Sequence, residues 1–141
     1  MIKTLSLTDD DLVPEELLPA APLAPGELLD GRYRISRLIA EGGMGSVYEA
    51  EAIRIGRKVA VKVLHPRFAA SPLEVERFQR EARTAVQVSS PHVVDMLDFG
   101  QAASGELFLV MELLQGESLR DRLAREGALP PALVADLMRQ L

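Results

Sequence analysis

The residues with the clearest capacity for chemistry are a glycine-rich turn and a lysine inside an apolar strand. Residues 41–45 read Glu-Gly-Gly-Met-Gly, and residues 59–62 read Val-Ala-Val-Lys. Because glycine has no Cβ, Gly42, Gly43 and Gly45 can adopt left-handed dihedrals and bring backbone N–H groups close to phosphate oxygens. Lys62 would supply the opposing positive charge. The two features together predict a nucleotide clamp.

Each feature alone has a simpler interpretation. A Gly-Gly-x-Gly hairpin is often only a turn, and most lysines in strands are solvated. The two features at this spacing, with Val47 just after the turn, are more specific than either one. We therefore favour nucleotide binding.

At these residues the sequence resembles the start of a protein kinase domain. In that family a Gly-x-Gly-x-x-Gly-x-Val loop precedes a Val-Ala-Ile-Lys strand. The resemblance implies that Lys62 holds the α- and β-phosphates of ATP. One position departs from the pattern, because Ala40 stands where the family has its first glycine. Its methyl group is expected to crowd the loop slightly.

Composition indicates one soluble globular domain. The chain has 141 residues, of which 48% are hydrophobic and 26% are charged. No window approaches the roughly 18 uninterrupted apolar residues of a membrane helix, and the N-terminus lacks the pattern of a secretory signal. A cytoplasmic location with no membrane segment is therefore expected. With no cysteine and two histidines, we predict no disulfide, no thiol nucleophile and no metal site.

The net charge of −5 is concentrated near the N-terminus. Residues 1–30 contain seven acidic residues against one lysine, which leaves residues 31–141 with a charge of +1. A nearly neutral folded part without a basic stripe argues against nucleic acid as a partner. Four prolines and the acidic cluster predict a flexible leader over residues 1–30. Its leucines leave open a short docking segment.

Hydrophobic patterns predict an α+β fold, a five-stranded antiparallel sheet with one main covering helix. Residues 33–39, 46–52 and 58–64 form a predicted three-stranded meander, and residues 92–100 and 106–112 supply the last two strands. The helix begins after Ser71, which is a capping residue. Pro72 at the first helical position and Glu74 in a capping box agree with this start. A short polar helix and a further helix are expected after Gly116.

Glu81 lies at the edge of the apolar face of the predicted helix. In the resemblance it matches the helix glutamate that pairs with the strand lysine, so Lys62 and Glu81 are the expected catalytic residues. A lysine among apolar neighbours is costly unless it is paired, which supports this assignment. The alternative is that Glu81 pairs with Arg77 or Arg80 on a solvated face.

The triplet Asp98-Phe99-Gly100 has the letters of the magnesium-binding motif of kinases. In that family the motif follows the hinge and a His-Arg-Asp loop, whereas here the triplet precedes the hinge-like segment. We interpret it as the end of a strand and assign no metal to Asp98.

Residues 106–112 lead into a segment similar to the kinase hinge. The resemblance makes Met111 the gatekeeper behind the adenine pocket, and it lets backbone groups of Glu112 and Leu114 bind the adenine edge. The complete set of expected nucleotide-binding residues is Ile39, Gly42, Gly43, Gly45, Val47, Ala60, Lys62, Met111, Glu112 and Leu114.

The resemblance covers residues 31–141 and is most similar to bacterial kinases of the eukaryotic-like type. It implies an ATP-binding lobe over residues 31–116 and the start of a truncated second lobe over residues 117–141. The intact parent would use ATP and Mg²⁺ to phosphorylate serine or threonine of a protein substrate. The catalytic loop and magnesium ligands are absent from this sequence, so the chain alone is expected to be inactive. The alternative is a non-catalytic interaction module with the shape of a kinase lobe.

Overall fold

A single antiparallel sheet dominates residues 21–140, which are the residues that the computed structural model describes. Its strands are β1 (Leu28–Leu29), β2 (Tyr33–Gly42), β3 (Gly45–Ala52), β4 (Arg57–Leu64), β5 (Met96–Gln101) and β6 (Leu107–Glu112). They lie in the order β1-β2-β3-β4-β6-β5. The predicted α+β fold with an antiparallel sheet is confirmed, and the short strand β1 adds a sixth strand to the five expected.

Strand β1 shows that the fold begins before Gly31. Leu29 is buried in the core, and two backbone hydrogen bonds tie this segment to β2, from Ile35 N–H to Glu27 O at 2.8 Å and from Gly26 N–H to Ile35 O at 2.7 Å. Residues 23–29 therefore differ from the expected flexible leader. Residues 1–20, which carry the rest of that expectation, lie outside the described residues.

The core lies on one face of the sheet. Side chains alternate between the two faces of a strand, and on β4 the residues Val59, Val61 and Val63 all point into the core. Phe108 on β6 is fully buried and meets Tyr33 edge-on, with ring centroids 6.0 Å apart. The side chains on the opposite face of β4 do not belong to this core.

Asp98 joins the two ends of the sheet. The Oδ2 atom of Asp98 accepts a hydrogen bond from Arg32 Nη1 at 2.6 Å and a second from the hydroxyl of Tyr33. Because β5 lies at the opposite edge of the sheet from β1, these contacts require the sheet to curl. Asp98 lies within β5 and not, as the sequence predicted, at the end of a strand. Its carboxylate connects β5 with Arg32 and Tyr33. Burial, followed by the hydrogen bond with Asp98, raises the pKa of Tyr33.

Helix α1 (Pro72–Val86) begins where the capping signals predict. The Oγ atom of Ser71 accepts a hydrogen bond from the N–H of Glu74 at 3.2 Å. The helix packs against β5, where Phe78 meets Phe99 with ring centroids 6.4 Å apart, and against a 3-10 helix, Pro66–Ala69. Only Ala82 of α1 is buried, so most of the helix is open to solvent.

Strand β5 starts at Met96, four residues later than predicted. Residues before it form a turn in which Val93 N–H donates to Ser90 O at 3.2 Å. Regular pairing with β6 begins only at Met96, which lies opposite Met111. The proline at position 91 and this turn delay the strand.

The two predicted helices after Gly116 are present as α2 (Leu119–Glu126) and α3 (Pro131–Gln140). Neither has a buried residue. Among the helices of residues 21–140, none combines the length and apolar character needed to cross a membrane.

Candidate nucleotide-binding site

The glycine-rich turn is a tight hairpin between β2 and β3. Gly42 lies opposite Gly45, which leaves Gly43 and Met44 as the turn. Gly45 has φ of +148°, and a Cβ there would lie 2.0 Å from the carbonyl oxygen of Val63. Glycine is therefore required at position 45, because β4 approaches its backbone. Of the three glycines expected to use left-handed dihedrals, Gly42 and Gly43 do not.

The tip of this turn is bound by the segment that follows β4. The backbone N–H of His65 donates to Met44 O at 3.1 Å, and His65 Nε2 lies 3.1 Å from Gly42 O. The guanidinium of Arg67 donates to the carbonyl of Gly43. No sequence motif marks His65 or Arg67, so none of these three contacts could be predicted from the sequence.

The strand register places four expected site residues on one face of the sheet. Val47 lies directly opposite Lys62, and Ala60 lies directly opposite Met111. Directly opposed residues share a face, as do residues two apart on a strand. One continuous surface is therefore formed by Val47, Ala60, Lys62 and Met111. Their strand neighbours Tyr48, Val61 and Val110 point into the core on the other face.

Lys62 is half-buried on this surface between the core residues Val61 and Val63. Among the described residues, no carboxylate forms an ion pair with it. Its ammonium group is thus positioned by an apolar strand and available to an anion.

Glu81 does not pair with Lys62 in this structure, so the predicted ion pair between them is not observed. Its Oε1 atom accepts a hydrogen bond from Arg77 Nε at 2.9 Å, and 62% of the Glu81 side chain is exposed. Residues four apart are neighbours on a helix, so this partner is available without any tertiary movement. The alternative interpretation of Glu81, a pair on a solvated face, describes this structure.

Between α1 and the sheet lies a cavity of about 350 Å³ with Glu81 and Arg77 at its wall. Its apolar lining consists of Leu64, Phe68, Phe78 and Leu107. Lys62 does not line this cavity. The part of α1 that carries Arg77 and Glu81 thus faces Leu64, at the end of β4, across a cavity. This separation explains why Glu81 finds its partner on its own helix.

Glu49 is a buried carboxylate on the same face, directly opposite Ala60. It accepts hydrogen bonds from Arg37 Nε at 2.8 Å and from Lys58 Nζ at 3.0 Å. The hydrogen bond from Lys58 lowers the pKa of Glu49, and that from Arg37 adds to the effect against the cost of burial. Two cations around one carboxylate leave one positive charge in excess beside Ala60.

The hinge-like segment is hydrogen-bonded to the sheet only at its start. The N–H of Glu112 donates to Asp95 O at 3.0 Å, and its carboxylate accepts from the N–H of Asp95 at 3.0 Å. Leu114 is 64% exposed, and Ile39, at an irregularity in the pairing of β2 with β3, is 42% exposed.

Comparison with known sequences identifies relatives among bacterial kinases. The family model described as "Protein kinase domain" matches residues 33–141. The chain is 45% identical over 119 residues to serine/threonine-protein kinase PknA of Mycobacterium tuberculosis, covering 82% of this chain and 28% of that protein. It is 48% identical over 120 residues to serine/threonine-protein kinase pkn2 of Myxococcus xanthus, covering 84% of this chain and 14% of that protein. The chain therefore spans less than a third of these relatives.

Solved structures give the same answer for the fold. The crystal structure of the PknI kinase domain of Mycobacterium tuberculosis superposes with a TM-score of 0.72 at 31% identity, covering 82% of this chain and 46% of that one. A double mutant of that domain gives a TM-score of 0.76 at 28% identity, covering 85% of this chain and 47% of that one. The curled sheet with α1 is thus the small lobe of a kinase, and the chain belongs to the protein kinase domain family.

Proposed function

We propose that the face formed by Val47, Ala60, Lys62 and Met111 binds ATP for a serine/threonine kinase. The observation that carries the proposal is the register, in which these four residues share one face of the sheet and Val47 and Lys62 lie two residues from the Gly45–Leu64 pair. Such a surface offers a flat apolar wall for a base and, at the Lys62 end, a cation for phosphates.

The residues present fit the chemistry of this nucleotide. Val47 and Ala60 supply apolar contact for the adenine ring, and the carbonyl of Glu112 and the backbone of Leu114 offer hydrogen bonds to its edge. At the other end, among the described residues, the N–H groups of Gly43 and Met44 have no backbone acceptor. Backbone N–H groups in a turn are suited to phosphate oxygens.

Lys62 carries the electrostatic part of the proposed site. Its ammonium would bind phosphate oxygens, where a charged hydrogen bond is roughly twice as strong as a neutral one. Glu81 would orient Lys62 only after its hydrogen bond with Arg77 breaks, because Arg77 lies on α1 and Lys62 lies on β4. Binding of the nucleotide and rearrangement of α1 are therefore expected to be linked.

In the parent enzyme ATP supplies the phosphoryl group, and Mg²⁺ would be held by residues outside this chain. The residues of this chain bind and orient the nucleotide, and the acceptor is a serine or threonine of a protein substrate. We place the nucleotide lobe at residues 31–116, preceded by β1, and the start of the second lobe at residues 117–141. We propose a cytoplasmic location for this domain. No observation favours the non-catalytic module.

Titration calorimetry of the 141-residue chain with ATP, with and without Mg²⁺, tests the proposal. Lys62→Ala should lower the affinity by about tenfold or more, because it removes a charged hydrogen bond. Arg57→Ala is the matched control, since it removes one exposed positive charge from the start of the same strand. Absence of ATP binding by the folded chain, or equal affinity in the Lys62 variant, would overturn the proposal.

A further inference from the structure

We infer that His65 and Arg67 are positioning residues that hold the glycine-rich turn in the form that receives phosphate. The inference rests on the proposed nucleotide site and goes beyond it, because these two residues lie outside the turn, the lysine strand and the hinge. They follow β4 and lie at the start of the 3-10 helix that leads to α1. No motif in the sequence assigns them a role.

Three contacts from this segment converge on the turn. The backbone N–H of His65 binds Met44 O at 3.1 Å, His65 Nε2 binds Gly42 O at 3.1 Å, and the guanidinium of Arg67 binds Gly43 O. Each of the three consecutive carbonyls at the tip is therefore satisfied by a donor from residues 65–67. The turn is bound from one side along its whole tip.

This pattern determines where the N–H groups of the tip point. A trans peptide unit is planar, so its carbonyl and its N–H point in opposite directions. When the carbonyls of Gly42 and Gly43 are directed at His65 and Arg67, the N–H groups of Gly43 and Met44 are directed away from those side chains. These are the two N–H groups without a backbone acceptor among the described residues.

Apart from the pairing of Gly42 with Gly45 at the base of the hairpin, the described structure packs little against these two peptide units. Gly42 and Gly43 are exposed, no atom lies within 4 Å of the position of a Cβ on either residue, and Met44 is 62% exposed. Glycine loses more conformational freedom on ordering than any other residue. Without the contacts from His65 and Arg67, a phosphate would have to bear the entropic cost of ordering the turn.

The guanidinium of Arg67 is itself held in place. It lies 5.0 Å from the centre of the Phe68 ring, a distance at which the cation is attracted to the ring face. Phe68 in turn lines the cavity beneath α1. The glycine-rich turn and α1 thus share one connecting segment.

The test compares ATP with adenosine in the 141-residue chain and three variants. Calorimetry should show that Arg67→Ala lowers the affinity for ATP by about three- to tenfold and leaves adenosine unchanged, because the variant loses a hydrogen bond that orders the turn and no contact with the ligand. Arg67→Lys should restore part of the loss, because it keeps a cationic donor. Arg54→Ala, an exposed arginine in the opposite hairpin turn, is the matched control and should bind both ligands as the parent chain does.

A second measurement does not depend on nucleotide. NMR order parameters of the amides of Gly43, Met44 and Gly45 should fall in Arg67→Ala and remain high in Arg54→Ala, because the turn loses its restraint. Unchanged order parameters, an equal loss for ATP and adenosine, or tighter ATP binding in Arg67→Ala would each overturn the inference. Failure of the parent chain to bind ATP would instead overturn the proposed function, and the order parameters would still decide the role of Arg67.

Discussion

Glu81 binds Arg77, four residues before it on α1, with 2.9 Å between Arg77 Nε and Glu81 Oε1. The hydrogen bond with Glu81 raises the pKa of Arg77. Both side chains are more than half exposed, and exposed ion pairs of this kind contribute little to stability. Arg77 is therefore a weak competitor for Glu81, and the proposed function expects Lys62 to replace it when nucleotide binds.

Removing this competitor should favour nucleotide binding. Arg77→Ala is expected to raise the affinity for ATP by about twofold, because Glu81 no longer has a partner on its own helix. Arg77→Lys keeps a competing cation and serves as the control. Calorimetry with ATP measures the change, and a weaker affinity in Arg77→Ala would show that the Arg77–Glu81 pair supports the site.

Gly45 should be far more sensitive to substitution than Gly43. In Gly45→Ala the new Cβ would lie 2.0 Å from Val63 O, and φ of +148° is strained for any residue with a side chain. A loss of about 1–3 kcal/mol in the free energy of unfolding is expected. Gly43→Ala meets no atom within 4 Å and should cost much less. Chemical denaturation of the two variants gives the comparison, and equal losses would contradict the close approach of β4.

Tyr33 should make the fold sensitive to alkaline pH. Its pKa is raised in the folded state, so above about pH 10 the unfolded chain loses this proton while the folded chain keeps it. The contribution of Tyr33 is therefore complete below its unfolded pKa and is lost as the pH rises toward the folded pKa.

Tyr33→Phe isolates this effect. The variant should lose about 1 kcal/mol at neutral pH, because Asp98 loses one hydrogen bond, and its stability should fall less steeply above pH 10. Urea denaturation of both proteins between pH 8 and pH 11, values chosen to bracket about pH 10, supplies the measurement. Parallel curves over that range would mean that burial and Asp98 do not raise the pKa of Tyr33 in the folded state.

Leu29 and Leu28 provide a test of where the fold begins. Leu29 is 4% exposed and Leu28 is 51% exposed, although they are adjacent on β1. Leu29→Ala is expected to lower the free energy of unfolding by about 2–4 kcal/mol, the cost of a cavity in the core, and Leu28→Ala by much less. Denaturation curves of the two variants decide the matter. Similar small losses of unfolding free energy in both variants would mean that β1 belongs to the flexible leader predicted from the sequence.

Much of the fold follows from local sequence patterns. Ser71, Pro72 and Glu74 determine the start of α1 through contacts within a single turn, and the structure shows the predicted cap. The three-stranded meander depends on apolar runs and short turns, which act between sequence neighbours. The glycine-rich turn and the lysine strand identified the surface where Val47 and Lys62 lie opposite each other. These features were predictable because each depends on residues close in the chain.

Only the tertiary structure decided which partners the charged side chains have. Asp98 binds Arg32 and Tyr33 because the sheet curls and brings β5 to the start of β2. Glu81 binds Arg77, although the sequence favoured Lys62, because a neighbour on the same helix needs no movement of α1. A sequence pattern gives the candidates for a long-range ion pair. The choice among them depends on distances that packing of the whole sheet and helix sets.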